Sequence, residues 1–247
     1  MPPENTLYRQ AALYRSQYAT SAKDLRFYQR LARESHGPVL ELGMGTGRIT
    51  AALLETGCQV VGLDISPDML KEARKQGAAV PMAFCGDFLA FALKCRFNLV
   101  LCGFNSFQHI LSRKDFAQML ACVKKHLHPN GVFAFDLPHI EPENLQTPSP
   151  TPTLRERFFD EDTSQPCEVW ESFDYHPTSQ IKQCAWEYRW ANGRQRRETL
   201  LFRVYFPSET LALLDEGGFR VLQHLGGFEG SPFSRVSTRQ IFICQPL

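Results

Sequence analysis

Three glycines and one carboxylate within seven residues carry the first chemical signal in this chain. In VLELGMGTGRI, residues 39–49, an apolar run contains Glu41 and is followed by Gly43, Gly45 and Gly47. Glycines let a backbone turn tightly and let a ligand approach the main chain closely. Such spacing alone also serves dinucleotides. The acid discriminates, because a pyrophosphate favours a helix N-terminus free of nearby anions, whereas a ligand with cationic groups is suited by a carboxylate at the turn. Asp64 ends a second apolar run, QVVGLDI. An ionised carboxylate there can accept both hydroxyls of a ribose. Ile65 and Met69 follow it, as apolar contacts for an adenine or as plain core. In CGDFLAF, Asp87 can accept from an adenine amine with Phe88 beside the ring.

These groups need strand ends to hold them, and the sequence supplies an alternation of strands and helices. Residues 1–36 read as helical, with Ser21 and Asp24 as a capping box for DLRFYQRLARE and Gly37-Pro38 as its stop. Strands are expected at 39–42, 59–65, about 81–87, 97–102 and 132–137. Helices are expected after Gly47, from Pro67 to Gly77 behind a Ser66 cap, and over about 113–127 behind Ser112 and Asp115. His128-Pro129-Asn130-Gly131 reads as a turn. Continuous apolar strands alternating with helices mean a parallel sheet covered on both faces. From Pro138 to Pro152 the prolines predict a loop, and 155–206 read as antiparallel strands with an Asn192-Gly193 hairpin. A last helix from Ser208 and two strands close the chain.

ELGMGTGR, GLDIS, GDF and LHPNGVFAFDLP fall in order over residues 38–138. Together they resemble the class I S-adenosylmethionine (SAM)-dependent methyltransferase family, in its small-molecule branch. The resemblance implies an α/β fold: a Rossmann-like seven-stranded sheet with helices on both faces, an N-terminal helical lid and an antiparallel β insertion before the last helix. It implies SAM as donor, S-adenosylhomocysteine (SAH) as product, and no metal. Donor-binding roles carry to Glu41, Gly43, Gly45, Gly47, Asp64 and Asp87. Arg48, Ile65, Met69, Gly86, Phe88, Cys102 and Phe104 are further expected contacts. Tyr14 and Tyr18, with Tyr28 as a third candidate, match the lid that covers the donor's methionine end. Met44 stands where many members have a small residue or cysteine, and is expected to point away.

GFNSFQHI, residues 103–110, resembles the N-S-x-x-H loop of small-molecule members rather than the N/D-P-P-Y/F motif of nucleobase and glutamine methylation. Asn105 or Ser106 would orient the acceptor. His109, with an ordinary pKa near neutrality, would be a general base; the other reading is a cap on the next helix or a core hydrogen bond. Methyl transfer is an in-line displacement in which alignment and exclusion of water can suffice, so a base is optional. Trp186, Tyr188, Arg203 and Tyr205 are expected to wall the acceptor site, against the alternatives of sheet core or dimer face. His224 and Phe228 are placed on the C-terminal side of the pocket by position alone.

The 247 residues carry a net charge of +1, far from the basicity of a dedicated nucleic-acid binder. MPPENTLYRQ has no apolar signal core, and no apolar run reaches membrane length. Eight cysteines without a C-x-x-C pair read as reduced thiols, and no zinc cluster is evident. The expectation is a cytoplasmic enzyme methylating N, O or C of a small molecule, as monomer or homodimer. The expected segments are 1–36, 37–138, 139–206 and 207–247. The alternatives are an RNA or protein methyltransferase, a SAM-binding protein that transfers nothing, and, more distantly, an NAD-dependent oxidoreductase.

Overall fold

A computed structural model of the chain describes residues 6–20, 22–75, 82–145 and 149–247. After a short 3-10 turn come α1 (Ala11–Tyr18) and α2 (Leu25–Ser35). Next are β1 (Val39–Leu42), α3 (Arg48–Leu54), β2 (Val60–Asp64), α4 (Pro67–Lys75), β3 (Ala83–Cys85) and β4 (Phe97–Cys102). They are followed by α5 (Arg113–His126), β5 (Leu127–Pro138), β6 (Ser149–Asp160), β7 (Gln165–His176), β8 (Ile181–Trp190) and β9 (Gln195–Arg203). The chain ends with α6 (Pro207–Glu216), β10 (Phe219–Leu225) and β11 (Arg239–Pro246).

These elements form two compact units. One comprises Ala22–His139 and Tyr205–Leu247, the other Met1–Ser21 and Ile140–Val204. The stretch read as one N-terminal lid therefore divides between them.

The first unit is built on a seven-stranded sheet in the order β10-β11-β5-β4-β1-β2-β3. β1 pairs in parallel with both β2 and β4, and β11 runs antiparallel to β5 and β10. Strand order reverses beside β1, so β1 and β4 flank a switch point, where α/β sheets open a crevice at their carboxyl ends. Leu99, Val100, Leu101 and Cys102 are wholly buried, as a central parallel strand requires. Ser112 caps α5, its Oγ accepting the Asp115 N–H at 3.0 Å. Ser66 Oγ accepts the Met69 N–H at 3.3 Å at the start of α4. The C-terminus expected for that helix at Gly77 lies outside the described residues, as does Ser21. Asp24 precedes α2, but its side chain makes no cap bond and serves Arg48 instead. The stop of α2 is His36 in the left-handed region, one residue before Gly37.

Two further expectations, about strand limits, also change. The turn at 128–131 lies inside β5: Phe97 pairs with Leu127 and Leu99 with Val132, so these four residues are a bulge rather than a break. The loop expected through Pro152 ends earlier, because β6 begins at Ser149. β6 is an edge strand, where a proline's missing N–H need not face a partner. Its register also shifts between Ser149 and Thr153, the span holding Pro150 and Pro152.

The second unit is a four-stranded antiparallel sheet in the order β6-β7-β8-β9. Cys184, Trp186, Tyr188 and Trp190 alternate onto one buried face of β8. They pack with Cys167, Val169 and Leu200 of the sheet and with Leu7, Leu13 and Tyr14. Gly193, at φ 85°, makes the expected hairpin turn.

Candidate active site

The glycine turn between β1 and α3 is left-handed three times over, with φ of 72°, 57° and 85° at Gly43, Gly45 and Gly47. A side chain at each would cost on the order of 1–2 kcal/mol. Asp64, at the end of the neighbouring β2, braces this turn: Oδ2 accepts the Gly45 N–H at 2.7 Å and Oδ1 the Ser66 N–H at 2.8 Å. Burial raises its pKa, opposed by backbone N–H groups of Ser66, Gly45 and Ile65. Met44 is 4% exposed and packs against Leu70 and Ala73.

Glu41 is buried under the turn and accepts the Thr50 hydroxyl at 2.5 Å. Burial pushes its pKa up to about 8, against the lowering effects of Thr50 and Arg48. Arg48 is held bidentately by Asp24, at 2.8 and 2.6 Å, and its guanidinium lies 4.3 Å over the Phe104 ring. Its fork is thus engaged within the protein.

Just past β2, Ile65 is 36% exposed, an apolar surface suited to a base. Gly86 donates its N–H to the Asp64 carbonyl at 3.0 Å. Asp87 Oδ1 accepts the Leu89 N–H at 2.9 Å, and Phe88 is half-buried against the core. Met69 is 2% exposed and Cys102 is fully buried, so neither offers an open contact surface.

Past β4 the chain turns through two consecutive left-handed residues without glycine, Phe104 at φ 54° and Asn105 at 64°. A short 3-10 helix, Ser106–His109, follows. Phe107 and Gln108 point inward, with Phe107 stacked 4.1 Å from Phe135, which leaves Asn105, Ser106 and His109 half-exposed. Since Ser112 caps α5, capping does not account for His109. Ser106 Oγ reaches the Gly43 carbonyl at 3.5 Å, so the two turns at the switch point touch.

Sequence reasoning missed Asp136 and Arg239. Asp136, fully buried on β5, accepts the Phe104 N–H at 2.7 Å and the Tyr28 hydroxyl on Oδ1, and pairs with Arg239 through Oδ2. Arg239 also donates to Asn105 Oδ1 and covers the Phe228 ring. A lone acid in the apolar strand VFAFDLP was the available signal.

The expected acceptor wall is packed. Trp186 and Tyr188 are core of the second unit, and Arg203, 6% exposed there, donates to Gln180. Tyr205 belongs to the first unit, where its hydroxyl donates to the Ile110 carbonyl at 2.5 Å. Tyr14 and Tyr18 lie in the second unit with ring centroids 4.8 Å apart. Burial drives the Tyr18 pKa upward. Cys102, Cys122, Cys167, Cys184 and Cys244 are buried thiols, while Cys85 and Cys95 are exposed. Among the described residues there is no group of three or more His, Cys, Asp or Glu able to hold a metal, and no helix long and apolar enough to cross a membrane.

Residues 39–131 match the family model described as a methyltransferase domain. An uncharacterized methyltransferase of Geobacillus kaustophilus is 34% identical over 111 residues, covering 44% of this chain and 51% of that protein. The dTDP-3-amino-3,6-dideoxy-alpha-D-glucopyranose N,N-dimethyltransferase of Streptomyces fradiae is 31% identical over 128 residues, or 52% and 49%. The chain thus spans about half the length of these relatives. Among solved structures, the CcbJ methyltransferase from Streptomyces caelestis shares the fold. Its TM-score is 0.79 at 22% identity, over 93% of this chain and 98% of that one.

Proposed function

We propose that this chain, whose residues 39–131 match a methyltransferase-domain family model, is a class I SAM-dependent methyltransferase that methylates an amine nitrogen of a small molecule. The observation that carries the reading is the contact between the two turns at the switch point, Gly43 against Ser106. It puts the half-exposed Asn105, Ser106 and His109 next to the cradle that suits an adenosyl donor. SAM, when bound, supplies a methyl group on a sulfonium. Gly43, Gly45 and Gly47 admit the donor to the backbone, Asp64 accepts its ribose hydroxyls, and Asp87 with Ile65 faces the adenine. Asn105 and Ser106 orient the acceptor, and His109 takes the proton that an amine loses. The Streptomyces relative, named for dimethylating an aminosugar nucleotide, supports nitrogen as the acceptor atom, and the near-neutral charge of the chain favours a small molecule over RNA.

Calorimetry with SAH and SAM-dependent SAH release over a panel of amines, hydroxyl compounds and dTDP-3-aminosugars test this. SAH binding with amine-dependent turnover is expected. His109→Ala should lower turnover while leaving SAH affinity in place. Binding without turnover on any acceptor would favour a non-catalytic SAM-binding protein. Absence of SAH binding, or binding of NAD instead, would overturn the reading altogether.

A further inference from the structure

The geometry points to Asp136 and Arg239 as positioning residues that fix the Phe104–Asn105 turn against the donor turn for methyl transfer. The inference rests on the methyltransferase reading above. Phe104 and Asn105 both stand at positive φ, a conformation that persists where surroundings over-determine it. Asp136 supplies that constraint. Its Oδ1 takes the Phe104 N–H at 2.7 Å and the hydroxyl of the buried Tyr28, and its Oδ2 takes Arg239. Arg239 in turn donates to Asn105 Oδ1. One carboxylate thus fixes the backbone of the first turn residue, and its guanidinium partner fixes the side chain of the second.

The other side of the turn is constrained independently. Arg48, held by Asp24, lies over the Phe104 ring, and Ser106 meets Gly43. Asn105 is therefore located between the strand ends of β4, β5 and β11, and Arg239 sets which way its amide faces. An amide whose oxygen is bound to Arg239 presents its NH2 group as the free donor. Asp136 and Arg239 act through Phe104 and Asn105, so their loss should impair alignment rather than donor capture.

Asp136→Asn, Arg239→Lys and the single-atom change Tyr28→Phe are compared with wild type by three readouts. These are thermal melting, SAH affinity by calorimetry, and amide hydrogen exchange over 103–109 with SAH bound. Steady-state turnover of dTDP-3-amino-3,6-dideoxyglucose is measured alongside. Tyr28→Phe guards against a misfolded ion-pair variant. The expected result is SAH affinity within about threefold of wild type and exchange of the 104–106 amides faster by roughly tenfold or more. The expected loss in turnover is roughly tenfold or more in kcat with little change in KM. Unchanged exchange in the folded variants would overturn the inference, as would a loss confined to KM or to SAH affinity. Should the wild type turn over none of this aminosugar, the acceptor proposal suffers, while the exchange comparison still decides the cradle.

Discussion

Ser106 occupies the space that a side chain on Gly43 would need. A Cβ built there would lie 3.0 Å from both Cβ and Oγ of Ser106, at a φ of 72°. The absence of a side chain at this position therefore serves the meeting of two turns as well as the bend itself.

Gly43→Ala should destabilise the protein by about 1–3 kcal/mol, from the left-handed backbone and the crowding of Ser106. It should also weaken SAH binding, because the turn must shift to relieve the contact. Chemical denaturation and calorimetry check both. Adding Ser106→Gly should recover part of the crowding cost and none of the backbone cost; full recovery would mean that the φ at residue 43 is not the source of strain.

Asp64 joins the second strand to the glycine turn, so its removal has two effects. On the proposed reading, Asp64→Ala deletes a charged acceptor for the ribose, worth roughly 1.5–3 kcal/mol, or about 10- to 150-fold in SAH affinity. It also leaves the Gly45 and Ser66 N–H groups without their carboxylate. Asp64→Asn keeps an acceptor oxygen and should fall between. Calorimetric affinity equal to wild type in the alanine variant would remove the ribose assignment.

Glu41 makes the stability of the ligand-free protein depend on pH in an unusual direction. Its carboxyl ionises near 4.5 in the unfolded chain and near 8 when folded, because burial disfavours the charge. Between those values the folded protein binds the extra proton, so stability falls as pH rises through this window. Glu41→Gln should flatten this slope and gain on wild type by a few kcal/mol, to order of magnitude, at pH 8–9. Melting curves at pH 5, 7 and 9 test it; parallel curves for the two proteins would show that residue 41 does not hold the proton.

The glycine turn and its Asp64 brace were legible because each sits at the junction of an apolar run and a glycine or cap residue. That junction is a local pattern, and the structure places VLELGMGTG and QVVGLDIS on adjacent parallel strands. The Asp136–Arg239 pair was not legible in that way. Its members are 103 residues apart and meet only because β11 returns antiparallel to β5. The aromatic stripe of β8 was read correctly in its period, but period does not say what lies on the buried face. Trp186, Tyr188 and Trp190 have spent their surface on a core. The division of the first 36 residues was equally hidden, since a helical pattern does not say which unit the helix joins.

The segment between Asp87 and Arg96 lacks regular structure, yet α5 fixes it with side chains spaced four residues apart. Gln118 Nε2 donates to the Leu89 carbonyl at 3.1 Å, and Cys122 Sγ to the Phe91 carbonyl at 3.2 Å. His126 Nε2 accepts the Leu93 N–H at 2.9 Å, which assigns the ring proton to Nδ1, facing the Cys122 carbonyl at 2.8 Å. Helical spacing of four puts the three on one face, matched to every second residue of the segment. Its first residues, Asp87 and Phe88, are the expected adenine contacts, so the staple should matter for binding. His126→Ala leaves the Leu93 N–H unpaired and should cost about 1–3 kcal/mol of stability. Amide exchange over 88–96 should rise and SAH affinity should drop severalfold, while Cys122→Ala, which removes a weaker sulfur donor, should do less. If the 88–96 amides of His126→Ala exchange as slowly as in wild type, the segment is held by its apolar packing on Phe91 and Leu93 instead.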